Sequence, residues 1–397
     1  MTQPPGVPYP AQPATRTDAQ IDTLVTSTTL SDGRELIYFD ASEASAALHR
    51  DATAAADRRG LPPRGGAGTA RYDALTGEWI AVAAHRQTRT HLPPADQCPL
   101  CPTTEANRSE IPAADYEVVV FENRFSSFGP DLGALPEDAA WGTTTTAFGR
   151  CEVVAFDSSH EGSFGSLSPE RARTVIDAWA HRTEALSAMD GIRQVFCFEN
   201  RGQDIGVTLL HPHGQIYAYP FIPRRAAVMA EQAVAFHDAA RGTRTLLGSA
   251  LDAERRSGER MVIEGKHFSA FVPFAARWPL EVHLVPHRQV PDIAALTPAE
   301  RDELTTVYLD LLGRVDALYS TPTPYIAAWQ QAPLDARLRP ASYLHLQLTS
   351  PRRAEDKLKF LAGSEAAMGA FINDTTPELV ADRLRNAVPV TSRQDLS

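Results

Sequence analysis

The chain has 397 residues, 43% of them hydrophobic and 22% charged, with a formal net charge of −11, which is enough for a large core and roughly two or three domains. The acidic balance excludes a broad basic surface for nucleic acid or anionic lipid, so an anionic ligand has to be met by local cations. Four cysteines, Cys98, Cys101, Cys151 and Cys197, are too few for a secreted disulfide scaffold and fit a reducing cytoplasm; with no basic leader and no run of about 18 apolar residues, neither a signal peptide nor a membrane span is expected.

Residues 1 to 28 are rich in Pro, Thr, Ala and Gln without hydrophobic periodicity and predict a disordered tail. A second flexible stretch, Arg58 to Gly68, precedes the first compact segment, which begins near Arg71. Cys98 and Cys101 then form a C-x2-C pair on a turn. Two thiolates at that spacing can share a tetrahedral zinc if two more ligands are found, and His160 and His211 are the candidates; a redox pair is the alternative reading.

An internal repeat follows. Glu152 to Phe156, His160 and the run from Leu167 to Glu170 correspond to Glu281 to Val285, Gln289 and the run from Leu296, each pair 129 positions apart. Both copies read as a buried strand, a loop and a helix. Ser168 and Thr297 are N-caps followed by Pro169 and Pro298 at the first helical position, and Glu300 completes a capping box. Strands are expected over 195–198 and 215–219 after the first helix, and over 325–329 and 343–349 after the second. The recurring order predicts an α+β fold of two related halves, each an antiparallel sheet with flanking helices.

The richest chemistry lies between Phe198 and Gln215, which ends in His211-Pro212-His213-Gly214-Gln215. Two histidines one residue apart in a strand share a face, so they either share a ligand or divide two jobs. A neutral imidazole is a competent nucleophile near pH 7, and attack on phosphorus would divide one displacement into two easier ones. Gly214 is expected to let a phosphate approach the backbone, and the Gln215 amide to donate to a non-bridging oxygen.

The combination of Cys98 to Cys101, the strand-end His160, Asn200, the segment 211–215 and the later Lys359-Phe360 resembles the galactose-1-phosphate uridylyltransferase family of the histidine-triad superfamily, as do the signatures from Arg71 to Arg89 and from Val119 to Phe125. The resemblance runs from Arg71 to Glu365. It implies a tail at 1–28 and histidine-triad-like domains at 29–224 and 225–397. It also implies His213 as nucleophile, Gln215 as the phosphate-binding side chain, and one structural zinc on Cys98, Cys101, His160 and His211. Asn123, Asn200, Gly206, Val207 and Thr208 fall where the family binds nucleotide and phosphates, the family's hydroxyl surviving only at Thr208. Arg86, Arg89, Lys359, Phe360, Gly363 and Glu365 match positions that reach into a partner subunit, implying a homodimer with shared sites.

The implied reaction carries UMP from UDP-glucose to galactose 1-phosphate through a covalent histidine. A phosphorylase acting on an NDP-sugar such as ADP-glucose would use the same His213, and a nucleotide-binding regulator without turnover would keep the scaffold. Ser364 stands where the family has an aromatic residue, and 368–374 departs from its pattern, both in the sugar-binding part. Some members carry iron in the C-terminal half. Here Met229, Gln289, His345 and Gln347 occupy those positions, two amides replace imidazoles, and zinc without iron is expected.

Overall fold

The computed structural model describes residues 17–22, 24–51, 56–62, 68–88, 91–130 and 142–388. Its strands begin with β1 (Val25–Thr29), β2 (Glu35–Phe39), β3 (Thr69–Asp73), β4 (Glu78–Val82), β5 (Val118–Glu122), β6 (Thr143–Thr146) and β7 (Arg150–Ala155). They continue with β8 (Gln194–Arg201), β9 (His213–Tyr219), β10 (Met261–Glu264), β11 (Phe268–Phe271), β12 (Leu280–Pro286), β13 (Tyr325–Gln330) and β14 (His345–Ser350). The helices are α1 (Asp18–Asp22), α2 (Glu43–Arg50), α3 (Pro169–Ser187), α4 (Arg224–Ala239), α5 (Leu246–Ser257), α6 (Pro298–Asp316) and α7 (Pro377–Asn386). No helix among the described residues is long and apolar enough to cross a membrane.

Eleven strands form a single antiparallel sheet in the order β1-β2-β5-β7-β9-β8-β13-β14-β12-β11-β10, while β4-β3-β6 make a small separate sheet. The two copies of the repeat are thus halves of one sheet. They meet where β8 pairs with β13 from Tyr325 opposite Arg201 to Trp329 opposite Cys197, and β8-β9-β7 reads outward from that seam as β13-β14-β12 does on the other side. Below it the Glu199 carboxylate accepts from Tyr325 Oη at 2.9 Å and Tyr308 Oη at 3.5 Å. Burial pushes that carboxyl up to about 7, against the lowering effect of the Tyr325 bond.

The long helices begin where the sequence signals them. The Ser168 hydroxyl accepts from the Arg171 amide, and Thr297 and Glu300 close a reciprocal capping box. Helices α3 and α6 then cover one face of the sheet with Phe164, Trp179, Tyr308 and Trp329. They also lock to each other through the buried Arg173–Asp302 pair, residues again 129 apart. Period-two alternation assigns the faces. Ile37, Phe39, Val118, Val120 and Val154 face the helices, whereas Leu36, Tyr38, Val119, Phe121, Val153 and Ala155 face a second cluster with Cys98, Leu100, Ile111 and Tyr116. The N-terminal half is therefore buried on both faces, the second cover being the irregular chain around Cys98.

Two expectations near the N-terminus need correction. The tail predicted through residue 28 overlaps β1, which pairs with β2 from Val25 to Thr29, and α1, where Ile21 is buried and Asp18 pairs with Arg301 at 2.8 Å. Residues 1–16 lie outside the described residues. The compact fold also begins well before Arg71: β2 pairs with β5, and His49 on α2 stacks on Tyr38 with Nδ1 at 2.9 Å from Asp40. These anchors are tertiary, so local composition could not reveal them.

Candidate active site and metal centre

Cys98, Cys101, His160 and His211 each offer a ligand atom within 4.8 Å of the others, the one such group among the described residues. Cys101 Sγ lies 3.4 Å from His160 Nδ1 and 3.5 Å from His211 Nδ1. Zinc bonds near 2.3 Å to sulfur and 2.0–2.1 Å to nitrogen predict a tetrahedral edge of about 3.5 Å, so the donor set fits zinc. The surroundings fit too. His211 Nε2 lies 2.7 Å from the Asp157 carbonyl, which takes its N–H and leaves Nδ1 as a lone-pair donor. Tyr116 Oη sits 3.0 Å from the same Nε2, and the Leu100 amide donates to Cys98 Sγ at 3.4 Å. Burial drives His211 down to about 4, so its ring is neutral at pH 7.

His211 precedes β9 and His213 opens it, so the two histidines divide their jobs. His213 Nδ1 donates to the His211 carbonyl at 2.7 Å, which leaves the lone pair of the unprotonated ring on Nε2. Burial lowers the His213 pKa, opposed by that bond. The ring lines a cavity of about 350 Å3 together with Arg86, Asn123, Thr208 and Gln215. Because β9 lies between β7 and β8, its backbone is spent on the ladders, and the Gln215 carboxamide is the group left to meet a ligand. Asn123 Oδ1 accepts from the Phe125 amide at 2.9 Å, so its NH2 remains to donate. Arg86 donates to the Ser127 hydroxyl and makes no ion pair among the described residues.

The floor of the cavity is a row of cross-strand neighbours. Gln215 lies opposite Val153, Val153 opposite Phe121, and Phe121 opposite Leu36. Strands spaced 4.7–4.9 Å apart put Phe121 roughly 10 Å from Gln215. The cavity therefore has a polar end at His213 and Gln215 and an apolar end at Phe121 and Leu100, matching a ligand with a phosphate at one end and a planar ring at the other.

Other expected residues lie elsewhere. Asn200, Gly206 and Val207 do not line this cavity: Asn200 sits on β8 opposite Ile326, and Gly206 adopts a left-handed conformation (φ 85°) ending the turn Gln203–Ile205. Lys359, Phe360, Gly363 and Glu365 belong to the C-terminal half, where Lys359 Nζ pairs with Glu365 at 3.1 Å and Phe360 is 77% exposed. Arg89 lies outside the described residues. Arg86, carried by the short turn Ala84–Thr88 after β4, lines the cavity of its own chain. Gly214 also has a different reason. A Cβ there would come within 2.8 Å of Phe156 and 3.0 Å of the Phe198 carbonyl, so the glycine serves packing on the helix side, not close approach of a phosphate. Sequence reasoning gave no role to Arg59, Leu61, Glu110 and Arg124 on the cavity wall; Arg124 alone lies within a quoted signature.

In the C-terminal half, His345 repeats the geometry of His213, with Nδ1 at 3.0 Å from the Tyr343 carbonyl. Its Nε2 is occupied by Gln347 at 3.1 Å, and Arg225 donates to Gln347 at 2.8 Å. Gln289 donates to the carbonyls of Pro340 and Ser342, both at 2.9 Å. These side chains satisfy one another within that half.

Residues 65–223 match the family described as galactose-1-phosphate uridyl transferase, N-terminal domain, and residues 230–396 match its C-terminal domain. A galactose-1-phosphate uridylyltransferase of Streptomyces lividans is 44% identical over 384 residues, covering 93% of this chain and 99% of that protein. One from Thermotoga maritima is 34% identical over 321 residues, covering 79% and 97%. A solved uridylyltransferase structure superposes with a TM-score of 0.71 at 28% identity, covering 80% of this chain and 98% of that one. An ADP-glucose phosphorylase from Arabidopsis thaliana with bound ADP-glucose shares the fold at a TM-score of 0.61 and 21% identity.

Proposed function

The chain belongs to the galactose-1-phosphate uridylyltransferase family, and from that premise we propose that it transfers UMP from UDP-glucose to galactose 1-phosphate in two half-reactions through His213. The observation that carries this reading is the half-buried imidazole with its Nδ1 proton held by the His211 carbonyl and its Nε2 in the cavity. In the first half, the Nε2 lone pair attacks the α-phosphorus, the bond to the bridging oxygen breaks, and glucose 1-phosphate leaves with the electron pair. In the second, an oxygen of galactose 1-phosphate attacks the same phosphorus, the N–P bond breaks toward the ring, and UDP-galactose departs. The His211 carbonyl stabilises the charge that the ring acquires, the Gln215 carboxamide donates to a non-bridging oxygen, and Arg86 offsets phosphate charge. A sugar phosphate needs little protonation to leave, so positioning carries the rest of the rate.

Cys98, Cys101, His160 and His211 would hold zinc, which supplies a cross-link between the irregular cover and the chain leading into β9. Incubation with UDP-glucose or ADP-glucose followed by intact-protein mass measurement tests the reading. A UMP-sized increment on His213 is expected; an AMP-sized one would favour the phosphorylase, and none with either would remove the covalent mechanism.

A homodimer with shared sites is part of this proposal. It is supported by Phe360, which is 77% exposed and clear of its own chain's cavity, beside Met368 and Ile372 at 81% and 58%, while Lys359 is buried with its ammonium held by Glu365. His213→Ala and Lys359→Ala are each expected to be inactive, and mixing them with subunit exchange should restore about a quarter of the sites, since half the dimers are mixed and each holds one intact site. No recovery after verified exchange would assign Lys359 to its own subunit.

A further inference from the structure

The N-terminal segment that precedes the family's matched region at residue 65 does more than extend the sheet. It adds β1 and β2 beside β5 and then sends residues 56–62 across to the apolar end of the cavity, where Arg59 and Leu61 form part of the wall. The crossing is anchored at both sides. Asp57 accepts from the Ser31 amide at 2.9 Å and from its hydroxyl at 3.0 Å, in the turn between β1 and β2. Arg59 forks onto Asp57 with two bonds of 2.9 Å and reaches Glu110 with Nη1 at 3.1 Å. Glu110 is held in turn by the fully buried Arg34 at 2.5 Å and approached by Arg124 at 4.0 Å.

The charge count decides which part of a ligand this wall suits. Arg34, Arg59 and Arg124 face Asp32, Asp57 and Glu110, so the cluster is polar and rigid but carries no net charge. That neutral cluster offers a phosphate less than the Gln215 end with Arg86, which makes no ion pair among the described residues; Arg108 also lines the cavity and donates to the Arg58 carbonyl at 3.5 Å. It suits an uncharged group with carbonyl and hydroxyl acceptors. Of the five protons on the Arg59 guanidinium, the contacts above and a 3.4 Å approach of Nη2 to Glu110 leave one on Nη1 without a partner among the described residues. Beside it, Leu61, Leu100 and Phe121 supply apolar surface for a planar ring.

We infer that residues 56–62 form the nucleoside-end wall of the cavity, with Arg59 binding the base or ribose of the nucleotide and Leu61 packing against the ring. The inference rests on the nucleotide reading of the cavity, and UMP itself is the probe that separates the two. Titration calorimetry with UMP is expected to show about tenfold weaker binding for Arg59→Gln, the size of one lost hydrogen bond to a fixed partner. A loss of about three- to tenfold is expected for Leu61→Ala. In steady-state assays the loss should fall on KM for UDP-glucose rather than on kcat, with KM for galactose 1-phosphate within about twofold of wild type. Leu61 takes part in none of the ion pairs, so Leu61→Ala decides the matter if Arg59→Gln melts early. Unchanged UMP affinity in folded variants, or a rise confined to galactose 1-phosphate, would overturn the inference. Wild-type protein that binds UMP but forms no covalent adduct would instead sink the transfer mechanism and leave this wall testable.

Discussion

Replacing His213 with Ala is expected to lower uridylyl transfer by at least about 10^4-fold, the scale on which removing a covalent nucleophile acts, while the melting temperature stays within a few degrees of wild type. The stability half follows from the contacts. The ring is half-buried, and its recorded hydrogen bond runs to the carbonyl two residues back in its own chain, so truncation breaks no link between distant segments. The activity half follows from the lining, because Gln215 is an amide with no nucleophilic nitrogen lone pair and His213 is the one histidine among the described residues that line the cavity. The pH profile sharpens the test. Burial lowers the His213 pKa, so the neutral fraction persists on the acid side and kcat/KM should begin to fall only below about 6.5, the ordinary value for the free side chain. Residual turnover above about 1% of wild type, or an acid limb well above pH 6.5, would place the nucleophile elsewhere.

Losing the metal is expected to cost stability and activity together. Elemental analysis should find one zinc per chain, and Cys101→Ser or exhaustive chelation should lower the melting temperature by about 10 °C or more. The reason lies in the cover over the second face of the sheet. Between β4 and β5 the described chain has only short turns, and its buried residues Cys98, Leu100, Ile111 and Tyr116 form a small cluster. A cross-link from Cys98 and Cys101 to His160 and His211 fastens that cover to the end of β7 and the entry to β9. Activity should fall with it, because the carbonyl of the ligand His211 is the group that holds the His213 proton. Zinc-free protein that melts with the wild type would show that packing alone secures the cover.

Much of this architecture follows from short-range rules. The caps at Ser168 and Thr297 mark helix starts because an oxygen three residues ahead of an unpaired amide acts locally. The strands around 152 and 281 follow from apolar runs buried on both faces, and those around 215 and 325 from period-two alternation. The donor types and spacing of Cys98 and Cys101 allow a metal and made His160 and His211 the candidate partners; the fold brings all four within reach of one another.

What only the tertiary structure decided depends on segments distant in sequence. Two halves recognisable as a repeat could have formed two sheets; the pairing of β8 with β13 makes them one. Gly214 looked like a phosphate contact, but strand alternation turns its missing side chain toward Phe156. Arg86 lines the cavity through the turn Ala84–Thr88 and a bond to Ser127, a placement that motif spacing does not show. Arg59 carried no signal at all, lying in a stretch whose Pro, Gly and Arg content reads as a linker. Its place on the cavity wall is set by carboxylates at Asp57 and Glu110 and by a turn at Ser31. Local propensity and motif spacing register what a residue does to its own neighbours in sequence; a charge balanced across fifty residues is visible only once the chain has folded.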